Sequence, residues 1–162
     1  MAKKPRKKSS IFNYTYGPFA ELMADPVNPL PQAKITYHMT KIYEGLEALD
    51  QMLHPEVHHW QVVADAANML DTLSREMNIL DDSNGGVRES MEIMARAWAA
   101  QEQGLPNTLD HDDLAKLRLI VNSYMEAIEN LPERIMVRAH RMTEKRMYAA
   151  LNGNRRREDI VI

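Results

Sequence analysis

The side chains best suited to chemistry in this sequence are basic residues near its end, spaced to share one helix face. They recur at intervals of four, three and four residues: Arg134, Arg138, Arg141 and Lys145, called the basic row below. Residues three and four apart are neighbours on a helix surface. Guanidinium groups match phosphate and carboxylate geometry, so such a row favours binding of nucleic acid or another anionic partner. The row could equally pair with acids of its own chain, and the spacing leaves both interpretations open.

Two further basic segments lie at the ends of the chain. The first comprises Lys3, Lys4, Arg6, Lys7 and Lys8, and the second comprises Arg155, Arg156 and Arg157. Between them, residues 9–132 hold seven basic and nineteen acidic residues, so the net charge of −3 conceals an acidic body with basic ends. This polarity predicts charged partners. The N-terminal segment could bind a phosphate backbone or an acidic protein, or serve only to keep the chain soluble.

Acidic pairs raise the question of metal chemistry. Three pairs are spaced three apart on the expected helices: Glu44 with Glu47, Glu89 with Glu92, and Glu126 with Glu129. Such pairs hold Mg²⁺ or iron when they project into a helical bundle, but they are also common on solvated helix faces. We expect the solvated arrangement, and therefore predict no catalytic residue, no metal site and no cofactor. A Mg²⁺-dependent nucleotide hydrolase remains the third functional interpretation.

Several classes of protein are disfavoured by what the sequence lacks. It has no cysteine, which excludes disulfide scaffolds and thiol chemistry. No apolar run approaches the ~18 residues that a membrane-spanning helix needs, and no apolar stretch of a secretory signal follows the basic start. We expect a protein of the bacterial cytoplasm with no membrane partner.

The apolar residues recur with helical period and predict an all-α fold. A first helix is expected from Gln32, with an apolar stripe from Ile35 to Leu53, and a second from Pro55 to Leu80, apolar on one side. A third is expected from Val87 to about residue 104, and a fourth with Asp110 as its cap. At Asn130-Leu131-Pro132-Glu133 we expect either a kink or the start of a fifth helix, which Gly153 would terminate. Short loops favour an antiparallel bundle of four to five helices.

The chain divides into four parts on this basis. Residues 1–10 are expected to be a flexible basic tail, and residues 11–31, rich in proline and aromatic residues, an extended arm held to the body by its aromatics. Residues 32–153 would form the bundle, and residues 154–162 a charged tail. The twelve methionines would mainly fill the core. Used instead as an adaptable contact surface, they would favour a homodimer.

Two stretches resemble a known group of proteins. WQVVADAANMLDTL at residues 60–73 and LPERIMVRAHRMTE at residues 131–144 are similar to small helical proteins of phages and prophages of Gram-negative bacteria. The resemblance implies an accessory role in a mobile genetic element and implies no catalytic or binding residue. Together with the basic segments, it favours a protein that binds nucleic acid or a nucleoprotein complex. The alternative is an inhibitor of a host defence protein, such as a CRISPR effector, that acts by protein–protein contact.

Overall fold

The structure is a computed structural model that describes residues 16, 17 and 19–153. This part of the chain is all-α, as the sequence predicts, and contains no strand. Its helices are α1 (Ala20–Met23), α2 (Gln32–Gln51), α3 (Val57–Asp71), α4 (Gly86–Glu102), α5 (His111–Asn130) and α6 (Glu133–Leu151). A π-helical turn, Thr72–Glu76, extends α3.

Helix α3 lies at the centre of the fold, because α2, α4, α5 and α6 all pack against it. Every residue from 62 to 74 is buried. A helix enclosed on all sides needs apolar or small residues around its whole circumference, and Ala64, Ala66 and Ala67 are three such residues. The single apolar side predicted for this helix is therefore wrong, since even Asp65 is only 3% exposed.

The closest approach between helices α2 and α3 occurs at Gly45. A Cβ atom added there would lie 2.2 Å from Cγ2 of Val62 and 2.9 Å from the carbonyl oxygen of His59. Both distances are shorter than van der Waals contact. The absence of a side chain at this position therefore lets the two helices pack together.

Three predicted helix ends are confirmed. The Asp110 carboxylate accepts a hydrogen bond from the backbone N–H of Asp113 at 2.8 Å and so caps α5. Helix α6 begins at Glu133, directly after Pro132, so the sequence break at this point is the start of a helix and not a kink. Gly153 follows the end of α6 with a φ of +75°, a conformation that glycine adopts without strain.

Other predicted ends are wrong. Helix α2 stops at Gln51, which leaves Leu53 72% exposed in the following loop. Helix α3 begins at Val57, with Glu56 as its N-cap, so Pro55 is not a helical residue. The helix also ends before Leu80, because the chain reverses through Asn78, whose φ is +53°.

The segment before α2 is held to α6 by its backbone. The N–H of Asp25 donates to the Glu133 carboxylate at 3.0 Å, and the N–H groups of Glu133 and Arg134 donate to the carbonyls of Asn28 and Asp25 at 2.8 and 3.0 Å. Leu30 is buried, whereas Phe19 is 71% exposed. The predicted attachment of the arm by its aromatic side chains is thus wrong for Phe19. The arm is also not extended throughout, because one helical turn, α1, interrupts it. Residues 11–15 of that arm lie outside the described part.

The methionines divide between core and surface. Met69, Met91, Met94 and Met125 are buried in the core, which agrees with the predicted filling role. Met52, by contrast, is 41% exposed beside the end of α2. Most of the predicted core methionines therefore serve packing.

Candidate functional site

The basic row lies along α6 as predicted, and two of its members share one carboxylate. Nε of Arg138 lies 2.5 Å from Oε1 of Glu21, and Nη1 of Arg141 lies 3.4 Å from Oε2 of the same side chain. Glu21 belongs to α1, so its partners stand 117 and 120 residues away in sequence. Each oxygen of this carboxylate therefore has its own guanidinium.

Arg134 has a different role from the other members of the row. Its guanidinium donates to the carbonyl oxygen of Leu22 at 3.2 Å and to that of Ala24 at 3.1 and 3.3 Å. These are main-chain acceptors at the end of α1. Arg134 therefore holds the N-terminal segment against α6.

The remaining charge of the row faces solvent. The side chain of Arg138 is 50% exposed although it pairs with Glu21. Lys145 is exposed and forms no ion pair with the residues that the structure describes. The row thus presents positive charge to solvent, and a single carboxylate, that of Glu21, pairs with part of it.

Both ends of the described chain meet this helix. The ring of Tyr16 packs edge-on against the ring of His140, with their centroids 4.9 Å apart. Gly153 ends α6 thirteen residues later, a span of about 20 Å along a helix. Residues 1–15, with their five basic side chains, join the body before Tyr16. Residues 154–162, with Arg155, Arg156 and Arg157, follow Gly153, so both ends of the described part lie at α6.

Eight of the predicted binding residues lie outside the described part of the chain: Lys3, Lys4, Arg6, Lys7, Lys8, Arg155, Arg156 and Arg157. The structure therefore places the points at which the two basic segments join the body. Of the twelve predicted binding residues, the four of the basic row are described.

Arg146, the residue directly after Lys145 of the basic row, points into the interior. It is 4% exposed, forms an ion pair with Asp71, and donates to Oγ1 of Thr72 at 2.8 Å. Oγ1 of Thr143 lies 2.7 Å from the same hydroxyl. Arg75 adds two hydrogen bonds to Asp71, at 2.6 and 2.7 Å. This polar network joins α6 to the π-helical turn that ends α3.

The sequence does contain a signal for the position of Arg146. Met136, Ala139, Thr143, Arg146 and Ala150 are separated by three, four, three and four residues, and all five are buried. They form the inner face of α6. The other four members are apolar or small, which marks this face as the buried one. An arginine within such a stripe needs a buried acid as its partner.

A second buried polar group was missed by sequence reasoning. His38 and His140 line a small cavity together with Tyr16, Leu30, Met69, Tyr124 and Met136. Burial lowers the pKa of His38 to about 4 and that of His140 to about 3, because the apolar surroundings disfavour the imidazolium form. Nδ1 of His38 lies 3.4 Å from the Tyr124 hydroxyl. Both histidines are thus neutral near pH 7.

The acidic pairs lie on the surface. Glu44 pairs with Lys41 at 3.1 Å, Glu89 with Lys116 at 2.6 Å, and Glu92 with Arg88 at 3.6 Å. Among the described residues, no three histidine, aspartate or glutamate side chains are grouped as ligands for a metal ion. Three of these six acids, Glu44, Glu89 and Glu92, therefore form salt bridges with neighbouring basic side chains.

Comparison of the chain with protein-family models, curated proteins and solved structures found no match. Within residues 16–153 as described, none of the helices combines the length and the apolar character that crossing a membrane requires. Functional inference for this chain therefore depends on its own residues and contacts.

Proposed function

We propose that this is a non-enzymatic accessory protein of a phage or another mobile genetic element, acting in the cytoplasm of a bacterial host. It binds nucleic acid or a nucleoprotein complex through its basic terminal segments. The supporting observation is the contact of Tyr16 with His140, which brings the first described residue of the chain to the helix after which the C-terminal basic segment follows. Arg138 and Lys145 are exposed on that helix. The basic row of α6 therefore lies between the points at which the two basic segments join the described chain.

The scaffold for these segments is the antiparallel bundle predicted from the sequence. Asp50 of α2 forms an ion pair with Arg118 of α5. Tyr43, which is earlier in α2, donates a hydrogen bond to Asn122, which is later in α5. The contacts advance in opposite directions along the two helices. Arg96 with Asp113 and Glu89 with Lys116 relate α4 and α5 in the same way.

Binding through these side chains would be electrostatic and would not depend on base sequence. Lysine and arginine contacts to phosphates release condensed counterions, so affinity falls steeply with salt. The two terminal segments contribute eight basic residues. With most of them on phosphates, raising the salt from about 50 to about 200 mM would weaken binding by about 10³-fold or more.

Fluorescence anisotropy with a labelled DNA duplex and a labelled single-stranded RNA tests the proposal. The triple variant with Arg155, Arg156 and Arg157 changed to Gln should bind at least about tenfold more weakly at low salt. A matched triple variant with Lys41, Arg88 and Lys116 changed to Gln loses the same charge from α2, α4 and α5, and should bind nearly as well as the wild type. Absence of binding to either nucleic acid at about 50 mM salt would refute the proposal.

The alternative function, inhibition of a host defence protein, is supported by the acidic surface of α2. Glu44, Glu47 and Asp50 are all exposed there. Such a surface could occupy a basic nucleic-acid channel of the target. In a pull-down from nuclease-treated bacterial lysate, a specific target should be lost with the Glu44→Lys/Glu47→Lys variant and retained when Arg155–Arg157 are changed to Gln. The opposite pattern would count against inhibition through the acidic surface.

A non-enzymatic role is supported by the salt bridges of Glu44, Glu89 and Glu92 with surface lysines and arginines. The third interpretation, a Mg²⁺-dependent nucleotide hydrolase, would need carboxylates that converge on one ion. It predicts nucleotide hydrolysis with Mg²⁺ or Mn²⁺ that disappears in a Glu44→Gln/Glu47→Gln variant. Detection of that activity would overturn the non-enzymatic proposal.

A further inference from the structure

The pairing of Glu21 with α6 defines a specific anion site within the basic row. We infer that Arg138 and Arg141 bind a phosphate group, and that the Glu21 carboxylate occupies this site in competition with it. Residues 19–23, called the strap below, carry Glu21 and would thus reduce the affinity for phosphate. This inference rests on the proposed function in naming the ligand as a phosphodiester of nucleic acid.

The geometry of the site suits a phosphate. Oε1 of Glu21 meets Nε of Arg138 at 2.5 Å and Oε2 meets Nη1 of Arg141 at 3.4 Å, so two guanidinium groups bind two oxygens of one anion. A phosphodiester likewise presents two anionic oxygens with a single negative charge. Arginine donors are suited to both groups. A phosphate can therefore replace the carboxylate without a change in the charge of the site.

The site is partly open to solvent. The side chains of Arg138 and Arg141 are 50% and 27% exposed, and that of Glu21 is 21% exposed. Partly exposed ion pairs of this kind stabilise a fold modestly. An incoming polyanion can therefore reach both guanidinium groups and displace the carboxylate at low cost.

The strap is attached to α6 mainly by polar contacts: the ion pairs of Glu21 and a hydrogen bond from Arg134 to the carbonyl oxygen of Leu22. Helix α1 is four residues long and has no buried residue. Phe19, Leu22 and Met23 are 71%, 69% and 85% exposed, so the strap has little apolar contact with the body. A single helical turn is not stable by itself. Release of the strap therefore leaves the helical core intact.

The chain directly after the strap is firmly held. Ala24 and Leu30 are buried. The N–H of Asp25 donates to Glu133, and the N–H of Arg134 donates to the Asp25 carbonyl. Motion of the strap can consequently occur between the Tyr16–His140 contact and Ala24 while the connection to α2 stays in place.

Substitution of Glu21 by Gln tests the competition directly. The change keeps the size of the side chain and removes its charge, so binding of the labelled duplex at low salt should tighten by about three- to tenfold. Glu129→Gln removes the same charge from an exposed position of α5 and controls for the overall change in net charge. In the Arg138→Gln background, Glu21→Gln should have a smaller effect. Equal effects of Glu21→Gln and Glu129→Gln would overturn the inference.

Hydrogen exchange gives a second readout that needs no nucleic acid. The N–H groups of Met23 and Ala24 bond to the carbonyls of Phe19 and Ala20, so they report whether α1 is formed. Sodium phosphate should speed their exchange relative to sodium chloride at equal ionic strength, and Arg138→Gln should remove the difference. Identical exchange in the two salts would contradict a phosphate site here.

The two measurements separate the two proposals. In one outcome the wild type binds the duplex, Glu21→Gln binds it equally well, and phosphate has no effect on hydrogen exchange. This outcome refutes the anion site and leaves the proposed function standing. Phosphate-dependent exchange without any duplex or RNA binding supports the anion site and refutes nucleic acid as its ligand.

Discussion

The charged residues with the greatest structural effect are those that the fold buries. Arg146 and Asp71 are 4% and 1% exposed, and their ion pair lies where α6 crosses the end of α3. Removing two charges from water is costly, and their mutual attraction compensates only when their hydrogen bonds are satisfied. Thr72 and Arg75 supply hydrogen bonds to this pair. Loss of one partner of this buried ion pair should therefore lower the stability of the fold far more than loss of one partner of an exposed pair.

Substitution of Arg146 by Met should lower the free energy of unfolding by about 3 kcal/mol, because Asp71 then loses its most buried partner. Urea denaturation monitors this change. Arg88→Met is the matched control, since Arg88 forms a surface pair with Glu92 at 3.6 Å. The control should cost no more than about 0.5 kcal/mol. Similar losses in the two variants would show that the buried network is not a significant source of stability.

The buried histidine pair predicts a loss of stability in mild acid. The pKa of His38 is lowered to about 4 and that of His140 to about 3, while unfolded histidines titrate near pH 6.5. The unfolded chain therefore takes up protons first. The stability contributed by the neutral rings is complete above about pH 6.5 and falls as the pH approaches the lowered values.

Between pH 6.5 and 5, each buried histidine adds up to about 1.4 kcal/mol per pH unit to the slope of unfolding free energy. Denaturant titrations across this range should give a smaller slope of unfolding free energy against pH in His140→Met. The decrease should correspond to close to one proton taken up on unfolding. His54→Met, at an exposed position, is the matched control for the substitution itself. An unaltered slope in His140→Met would mean that His140 titrates normally in the folded protein.

At the level of helices, local sequence pattern predicts most of the fold. The apolar stripes of α2, α4 and α5 and the helix ends marked by Asp110 and Gly153 are local features, and the structure confirms them. The end of α3 is different, because the Arg146–Asp71 pair stabilises a π-helical turn across 75 residues of sequence. Burial of α3 on all sides likewise depends on four other helices. No local pattern encodes such contacts.

Gly45 tests whether helix packing, and not helix propensity, determines stability at this contact. Gly45→Ala should destabilise the fold by about 1–3 kcal/mol, because the new Cβ would overlap Val62 and the His59 carbonyl. Gly86→Ala, also on a helix, would place its Cβ 3.4 Å from the nearest atom, Oδ1 of Asn84. That control should be close to neutral in thermal unfolding. A stabilised Gly45→Ala protein would contradict the close approach of α2 and α3.

For the whole molecule, the sequence predicts where the positive charge lies but not what it contacts. The spacing of the basic row is a local property, so its placement on one face of α6 could be predicted. Its pairing with Glu21 could not, because that contact joins segments 117 and 120 residues apart. The contact of Tyr16 with His140 likewise joins residues far apart in sequence. Tertiary contacts thus determine which groups the basic row meets, and a local pattern cannot predict them.

If both terminal segments contact one duplex together, their contributions to its salt dependence should add. The slope of log affinity against log salt changes by about 0.9 for each phosphate contact. Neutralising Arg155–Arg157 with Gln should reduce it by about 3, neutralising the five basic residues of 3–8 by about 4 to 5, and both changes by about 7. Anisotropy titrations at four salt concentrations measure these slopes. A combined reduction well below the sum would show that the two segments compete for the same phosphates. The segments would then make alternative contacts with the duplex, and not simultaneous ones.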